Sequence, residues 1–222
     1  MSSRRRTTSF LLSSVAPPAR LATVRLLAAC PVVSISSGSM IGGVELPSSA
    51  LLVVEEGVAA TTRSLGGEPG KRMVLSISGP AAVLPSLAAD EELAALTDVR
   101  ATAVTPEALR GLLALPDAAH AITLGLLDTL QEGRESLAQL GDAPHAERLR
   151  EKLLQLARRH GRVVPDGVRI DVPLTHELLA QTVRSARETV TLALGDLERE
   201  GFLVRDGRSY RLRVRPESLS PS

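Results

Sequence analysis

Residues 174–204 read LTHELLAQTVRSARETVTLALGDLEREGFLV, and the fold turns on this stretch. Thr175 follows Pro173-Leu174 and carries the short hydroxyl side chain that caps a helix N-terminus. Leu178, Leu179 and Val183 come next at helical spacing and give a first short helix one apolar stripe. The pattern breaks at Arg184-Ser185. Ser185 and Glu188 then have the S-x-x-E spacing of a capping box, which marks the start of a second helix. In that helix Val190, Ala193, Leu194 and Leu197 recur at i, i+3, i+4, i+7 and face inward, leaving Arg187, Glu188, Thr191, Leu192 and Gly195 outside. Gly201 supplies a C-terminal stop. Segments 202–205 and 209–214 flank Asp206-Gly207-Arg208, a strong hairpin signal. The spacing predicts a helix-turn-helix followed by a β-wing.

The outward residues give this motif its chemistry. Arg187 and Glu188 lie in the first turn of the second helix, the part that meets base edges when a helix end enters the major groove. The segment 201–215 carries Arg205, Arg208, Arg211, Arg213 and Arg215 against a single acid, Asp206. A basic hairpin beside a recognition helix suits contacts to phosphates. The same residues also fit a winged module that docks on another protein. Salt dependence separates the two, because phosphate contacts release counterions.

The run Ser185-Ala186-Arg187-Glu188-Thr189-Val190 resembles the recognition-helix signature S-R-E-T-V of the Crp/Fnr family of bacterial transcription regulators. Leu197-Glu198 followed by Gly201-Phe202-Leu203 resembles that family's exit from the helix, and the likeness extends more weakly over most of the chain. The resemblance implies an α+β protein. A flexible basic tail over 1–19 is expected to precede an antiparallel β-roll over 20–116, like the family's cyclic-nucleotide-binding-like sensor. A long dimerisation helix over 117–140 and a winged helix-turn-helix domain over 145–216 follow. It also implies roles. Arg187 would read a guanine and Glu188 would accept from a cytosine amino group, with Thr191 and Leu192 on the same base-facing surface. Thr175, His176, Arg184, Ser185, Thr189, Arg208 and Arg211 are expected to contact phosphates. The function implied is sequence-specific binding of double-stranded DNA by a homodimer on a palindromic site, with RNA polymerase as a further partner. Two positions depart from the family. A second base-reading arginine is replaced by Leu192, which has only a thymine methyl to touch, and the turn glycine is replaced by Arg184. The expected half-site therefore differs from the family's TGTGA-like one at one position.

The roll is also legible as a pattern. Segments 32–35, 51–55, 58–63, 73–77 and 99–104 read as short strands, separated by turns at Ser37-Gly38, Gly66-Gly67 and Gly79-Pro80. Evenly spaced short strands suit a compact antiparallel roll. Pro106-Glu107 then opens a helix. In the resembled family a cyclic-nucleotide sensor needs a Gly-Glu-Leu stretch and a nearby Arg-Ser or Arg-Thr. The corresponding segment 82–92 reads AVLPSLAADEE, with no Gly-Glu-Leu and no arginine before Arg100. A phosphate would enter an acidic, apolar setting there, so no binding of cyclic AMP and no cofactor are expected. The cluster Asp90-Glu91-Glu92 reads as a solvated turn.

Within the long helix, Ala119, Thr123, Leu126, Leu130, Gly133, Leu137 and Leu140 step by three and four, a seam of about three heptads. Leu126, Leu130, Leu137 and Leu140 are its expected dimer contacts. Ile122, Leu124 and Leu127 widen the apolar face enough to pack on the roll as well. Gly141-Asp142-Ala143-Pro144 reads as a hinge through which a signal would tilt the DNA-binding part, and a helix over 145–160 leads on through Pro165-Asp166-Gly167.

Composition narrows the alternatives. The chain has 222 residues, 44% of them hydrophobic, enough for two small domains. Its net charge is only +1, so any affinity for DNA comes from local patches. Phe10, Phe202 and Tyr210 are its aromatic residues, too few for a base-stacking platform. Cys30 is the single cysteine, which excludes an intrachain disulfide or cysteine-held cluster and reads as a small buried hydrophobe. Histidines 120, 145, 160 and 176 have no metal-ligand spacing, and no nucleophile elbow or phosphate loop is present, so neither a metal nor an enzyme is expected. Arg4-Arg5-Arg6, Phe10-Leu11-Leu12 and Leu27-Ala28-Ala29-Cys30 have the outline of a lipoprotein export signal. Pro17, Pro18, Arg20 and Arg25 interrupt its apolar core, so a basic tail, a short helix over 20–29 and a cytoplasmic protein are expected. No segment reaches the ~20 apolar residues of a membrane span.

Overall fold

The computed structural model describes residues 17–46, 48–65, 72–138, 144–207 and 209–219. Most of the expected basic tail, the hinge residues 141–143, Leu140 and Arg208 lie outside the described residues. The chain divides into two compact units, the first made of residues 1–71 and 75–134, the second of 72–74 and 135–222.

In the first unit, helix α1 (Pro17–Ala28) precedes eight strands: β1 (Val32–Ile35), β2 (Met40–Gly42), β3 (Leu51–Glu56), β4 (Ala59–Ser64), β5 (Arg72–Ser78), β6 (Val83–Pro85), β7 (Glu91–Ala95) and β8 (Val99–Val104). Helix α2 (Pro106–Leu113) and the long α3 (Pro116–Ala138) follow. The strands form two antiparallel sheets, β1-β8-β3-β6 and β2-β7-β4-β5. Strand β3 explains the layering. Leu51, Leu52, Val53 and Val54 are all buried, so both faces of the strand are covered. Successive side chains point to opposite faces. Leu51 and Val53 join Cys30, Ala108, Leu112, Ala118 and Ile122 in a core beneath the helices. Leu52 and Val54 join Val33, Leu93 and Ala103 in a second core, between the sheets. Cys30 is buried, with its thiol donating to the Leu26 carbonyl at 3.3 Å.

Three strands had no sequence signal. Strands β2, β6 and β7 are three to five residues long and contain Gly, Pro, Ala and Glu, poor strand formers whose pairing comes from long-range neighbours. Glu91 is a correction to the solvated-turn reading. It lies in β7 and is largely buried, bonded to Arg63 at 2.7 Å and to the Ala88 amide at 3.0 Å. Helix α1 likewise begins at Pro17, inside the segment expected to be tail.

Helix α3 buries Ala118, Ala121 and Ile122 against the roll. Thr129 Oγ1 donates to the Val83 carbonyl at 2.8 Å, and buried Glu132 accepts from the Ile77 amide at 2.9 Å. Of the expected dimer contacts, Leu137 has its side chain outside the described residues. Leu126 packs against the roll's own core, whereas Leu124, Leu127 and Leu130 are half exposed. Gly125 has a definite packing reason, since a Cβ there would lie 2.6 Å from a Val83 methyl. Gly125→Ala should therefore be destabilising, by about 1–3 kcal/mol, as overpacking against a stiff β-branched neighbour outweighs alanine's better helix propensity. Chemical denaturation checks this, and a stabilised variant would contradict it.

The second unit packs α4 (His145–His160), α5 (His176–Val183) and α6 (Arg187–Arg199) on one antiparallel sheet. That sheet has the order β11 (Leu203–Asp206), β12 (Ser209–Leu212), β10 (Gly167–Ile170) and β9 (Gly161–Val164), and a 3₁₀ turn, Pro216–Leu219, closes the described chain. Leu149, Leu153, Leu179, Leu194, Leu197, Ile170 and Leu212 are buried in it. Lys152, 1% exposed, donates from Nζ to Gln155 Oε1 at 2.7 Å, and Gln155 Nε2 donates to Glu135 Oε2 at 2.6 Å, all three residues belonging to this second unit. The hairpin β9–β10 around Pro165-Asp166 doubles the expected wing from two strands to four.

Candidate nucleic-acid interface

The interface is built on two helices and the turn between them. Thr175 caps α5, its hydroxyl oxygen accepting from the Leu178 amide at 3.0 Å. Leu178, Leu179, Ala180, Thr182 and Val183 are buried, so this short helix is held by packing rather than by length. It ends at Arg184 in the left-handed conformation, φ 49° and ψ 56°, with the Ser185 amide bonded back to the Ala180 carbonyl at 3.0 Å. This backbone form suits glycine and strains an arginine. Arg184→Gly is expected to stabilise the unit by about 0.5–1 kcal/mol, the relief of strain being partly offset by glycine's freedom in the unfolded chain. A thermal melt measures it, and an unchanged or lowered midpoint would count against the strain.

Helix α6 does not begin as the capping-box spacing predicted. Its N-cap is Ala186, with no side-chain cap, and Ser185 Oγ is enclosed without a hydrogen-bond partner. The left-handed Arg184 fixes the tight turn by backbone bonds, so Ser185 sits one residue too early to cap. The C-terminal end follows the expectation: Gly201 has φ +74°, its amide reaches the Glu198 carbonyl at 3.0 Å, and the Phe202 amide reaches that of Leu197 at 3.0 Å.

With Val190, Ala193, Leu194 and Leu197 buried, the opposite face of α6 presents Arg187, Glu188, Thr191 and Leu192 to solvent. Leu192 is 71% exposed, a large apolar side chain left on the surface among the described residues. Thr189 is partly buried, while Thr175 and Arg184 are exposed beside the turn.

Two of the expected phosphate ligands are engaged elsewhere. Arg211 pairs with Asp166 of the β9–β10 turn. His176 uses both ring nitrogens within the protein: Nδ1 lies 2.8 Å from Thr191 Oγ1, and Nε2 meets the guanidinium of Arg205. Burial, then the nearby Arg205 and Arg187 charges, push the imidazole below its ordinary value and favour the neutral ring. Sequence spacing gave no sign of this contact, because His176 and Arg205 are 29 residues apart. Arg205 also stacks over the buried Tyr210 ring, 5.9 Å from its centroid, and its amide reaches Glu198 Oε1 at 3.4 Å. Behind the interface Arg150 lies 4.3 Å above the Phe202 ring and pairs with Glu200, fixing α4 against the end of α6.

A helix pair joined by a tight turn, with its second helix exposed along a polar face and a basic hairpin beside it, defines a winged helix-turn-helix protein. The family comparison is more specific: residues 147–219 match the Crp-like helix-turn-helix domain. The chain is 31% identical over 147 residues to the CRP-like cAMP-activated global transcriptional regulator of Mycobacterium tuberculosis, a match covering 63% of this chain and 66% of that one. It is 37% identical over 89 residues to the global nitrogen regulator of Synechocystis, covering 40% of this chain and 39% of the relative. The chain thus spans just under two thirds of the mycobacterial relative and less of the cyanobacterial one. In three dimensions it resembles a cyclic nucleotide-binding domain containing protein from Listeria monocytogenes, with a TM-score of 0.74 at 16% identity over 90% of this chain and 98% of the other. It is also similar to a CooA variant from Carboxydothermus hydrogenoformans, with a TM-score of 0.73 at 19% identity over 88% of each chain. The chain is a homologue of the CRP-like regulators. It has their fold, an antiparallel cyclic-nucleotide-binding-like roll, a long helix and a Crp-like helix-turn-helix domain. No helix among the described residues is long and apolar enough to cross a membrane.

Proposed function

We propose that this protein is a sequence-specific transcription regulator of the cytoplasm that binds double-stranded DNA as a homodimer on a palindromic site. One observation carries the reading: Arg187, Glu188, Thr191 and Leu192 stand together and exposed on the first turns of α6, at the end of the helix that a winged domain places in the major groove. Arg187 suits a guanine, Glu188 a cytosine amino group and Leu192 a thymine methyl. Thr175, Arg184 and Thr189 flank that turn and supply the phosphate side of the contact. The relatives named above are regulators rather than enzymes, which favours binding over catalysis. The half-exposed Leu124, Leu127 and Leu130 supply an apolar stripe on α3 for pairing with a second copy. Two recognition helices about 34 Å apart would then read half-sites one helical turn apart, and RNA polymerase is the machine whose access such a dimer would alter.

The mycobacterial relative is cAMP-activated by name, whereas our reading for this chain is that cyclic AMP is not its signal. Residues 86–90 between β6 and β7 form no helix. The arginine beside them, Arg63, is held by Asp90 at 3.2 Å and Glu91 at 2.7 Å, so a phosphate arriving there would compete with two carboxylates. Titration of the purified protein with duplex DNA across a salt series tests the function. Log affinity should fall linearly with log salt, with a slope near −0.9 per phosphate neutralised. Absence of salt-dependent duplex binding would leave a protein-docking role for the winged domain.

A further inference from the structure

Beside the exposed face of α6, the two ring nitrogens of His176 join two parts of the interface. Arginine has only donors, so Nε2 must accept from Arg205. The ring proton of the neutral imidazole then sits on Nδ1, and Thr191 Oγ1, 2.8 Å away, accepts it. That leaves the threonine's own proton for the Arg187 carbonyl at 2.9 Å. One unbroken chain of donors and acceptors runs from strand β11 of the wing, through the first residue of α5, to the first turns of α6. Every member is satisfied, and only with a neutral ring.

We propose that His176 is a specificity-determining positioning residue, which locks the wing arginine and the base-facing turn of α6 into one surface and releases both when it takes up a proton. This rests on the DNA-binding reading above. A protonated ring has no acceptor, so the bond from Arg205 is lost. It also places a third positive charge among Arg205 of β11 and Arg187 of α6, the two cations that face it. Of the acids nearby, Glu177 on its own helix accepts from Gln181 Nε2 at 3.1 Å, and Glu198 of α6 accepts from the Arg205 amide at 3.4 Å. A histidine serving instead as a plain phosphate ligand gives the opposite behaviour, because the imidazolium is the form that attracts phosphate.

Two measurements test this. In the free protein, ¹⁵N NMR of the imidazole rings, with His176→Gln identifying the resonance, should report the Nδ1–H tautomer at neutral pH. In the bound state, the ratio of affinities for a selected duplex and a scrambled one is measured between about pH 7.5 and 5.5 for the wild type, His176→Ala and His176→Gln. The wild-type ratio should fall about tenfold on acidification, the loss of roughly one charged hydrogen bond. His176→Ala should sit near the acid value at every pH, and His176→Gln, which can both accept and donate, should recover part of the ratio without its pH dependence. An Nε2–H tautomer overturns the proposal, as does an affinity that rises for both duplexes as the pH falls, or an alanine variant that keeps wild-type discrimination. A wild type that binds no duplex at any pH refutes the DNA reading itself, while the tautomer still decides whether the hydrogen-bonded chain exists.

Discussion

Replacing Arg187 and Glu188 together by alanine is expected to reduce affinity for a selected duplex by at least about a hundredfold, with little change for unrelated duplexes. Each bidentate base contact is worth roughly 1–3 kcal/mol of discrimination, and both side chains lie exposed on the first turn of α6. Neither is among the residues buried in the unit, so the variant should keep its fold and melting midpoint. Quantitative gel-shift or anisotropy titration at fixed salt checks the prediction. An equal loss on every sequence would mean that these side chains touch only the backbone of the duplex.

Leu179→Ala should act in the opposite way, through the fold. Leu179 is fully buried at the centre of α5, where helix, turn and recognition helix are packed on the wing sheet. Removing a buried leucine side chain costs about 2–5 kcal/mol, the transfer energy of the lost atoms plus the cavity left behind. For a unit of this size the melting midpoint should fall by at least about 10 °C. Duplex binding should weaken for selected and scrambled sequences in proportion to the unfolded fraction. A loss of less than about 1 kcal/mol, measured by denaturant titration, would mean that the core closes over the gap.

How much of this was legible in the chain depended on how local the determining physics is. The cap at Thr175, the inward stripe of Val190, Ala193, Leu194 and Leu197 and the glycine stop at Gly201 each rest on neighbours within a few residues, and the structure has them where the spacing puts them. Strands β1, β3 and β8 carry enough Val, Ile and Leu to announce themselves. The start of α6 did not follow its apparent capping box, because the tight turn at Arg184 is set by backbone bonds to the Ala180 carbonyl and not by Ser185. Strands β6 and β7 were invisible because Pro85 and the paired glutamates are not strand formers, and their partners lie far along the chain. The same holds for the interface. The exposed residues of α6 could be named from helical periodicity alone, but the engagement of His176 by Arg205 and of Arg211 by Asp166 needed strand pairing to bring distant residues together.

Selection of duplexes from a randomised pool by the purified wild-type protein tests most directly whether the exposed end of α6 reads base pairs. Enrichment is expected for an inverted repeat whose half-sites lie about one helical turn apart, with guanine and cytosine at the positions facing Arg187 and Glu188. A pool that binds with strong salt dependence yet gains no common sequence over successive rounds would contradict it.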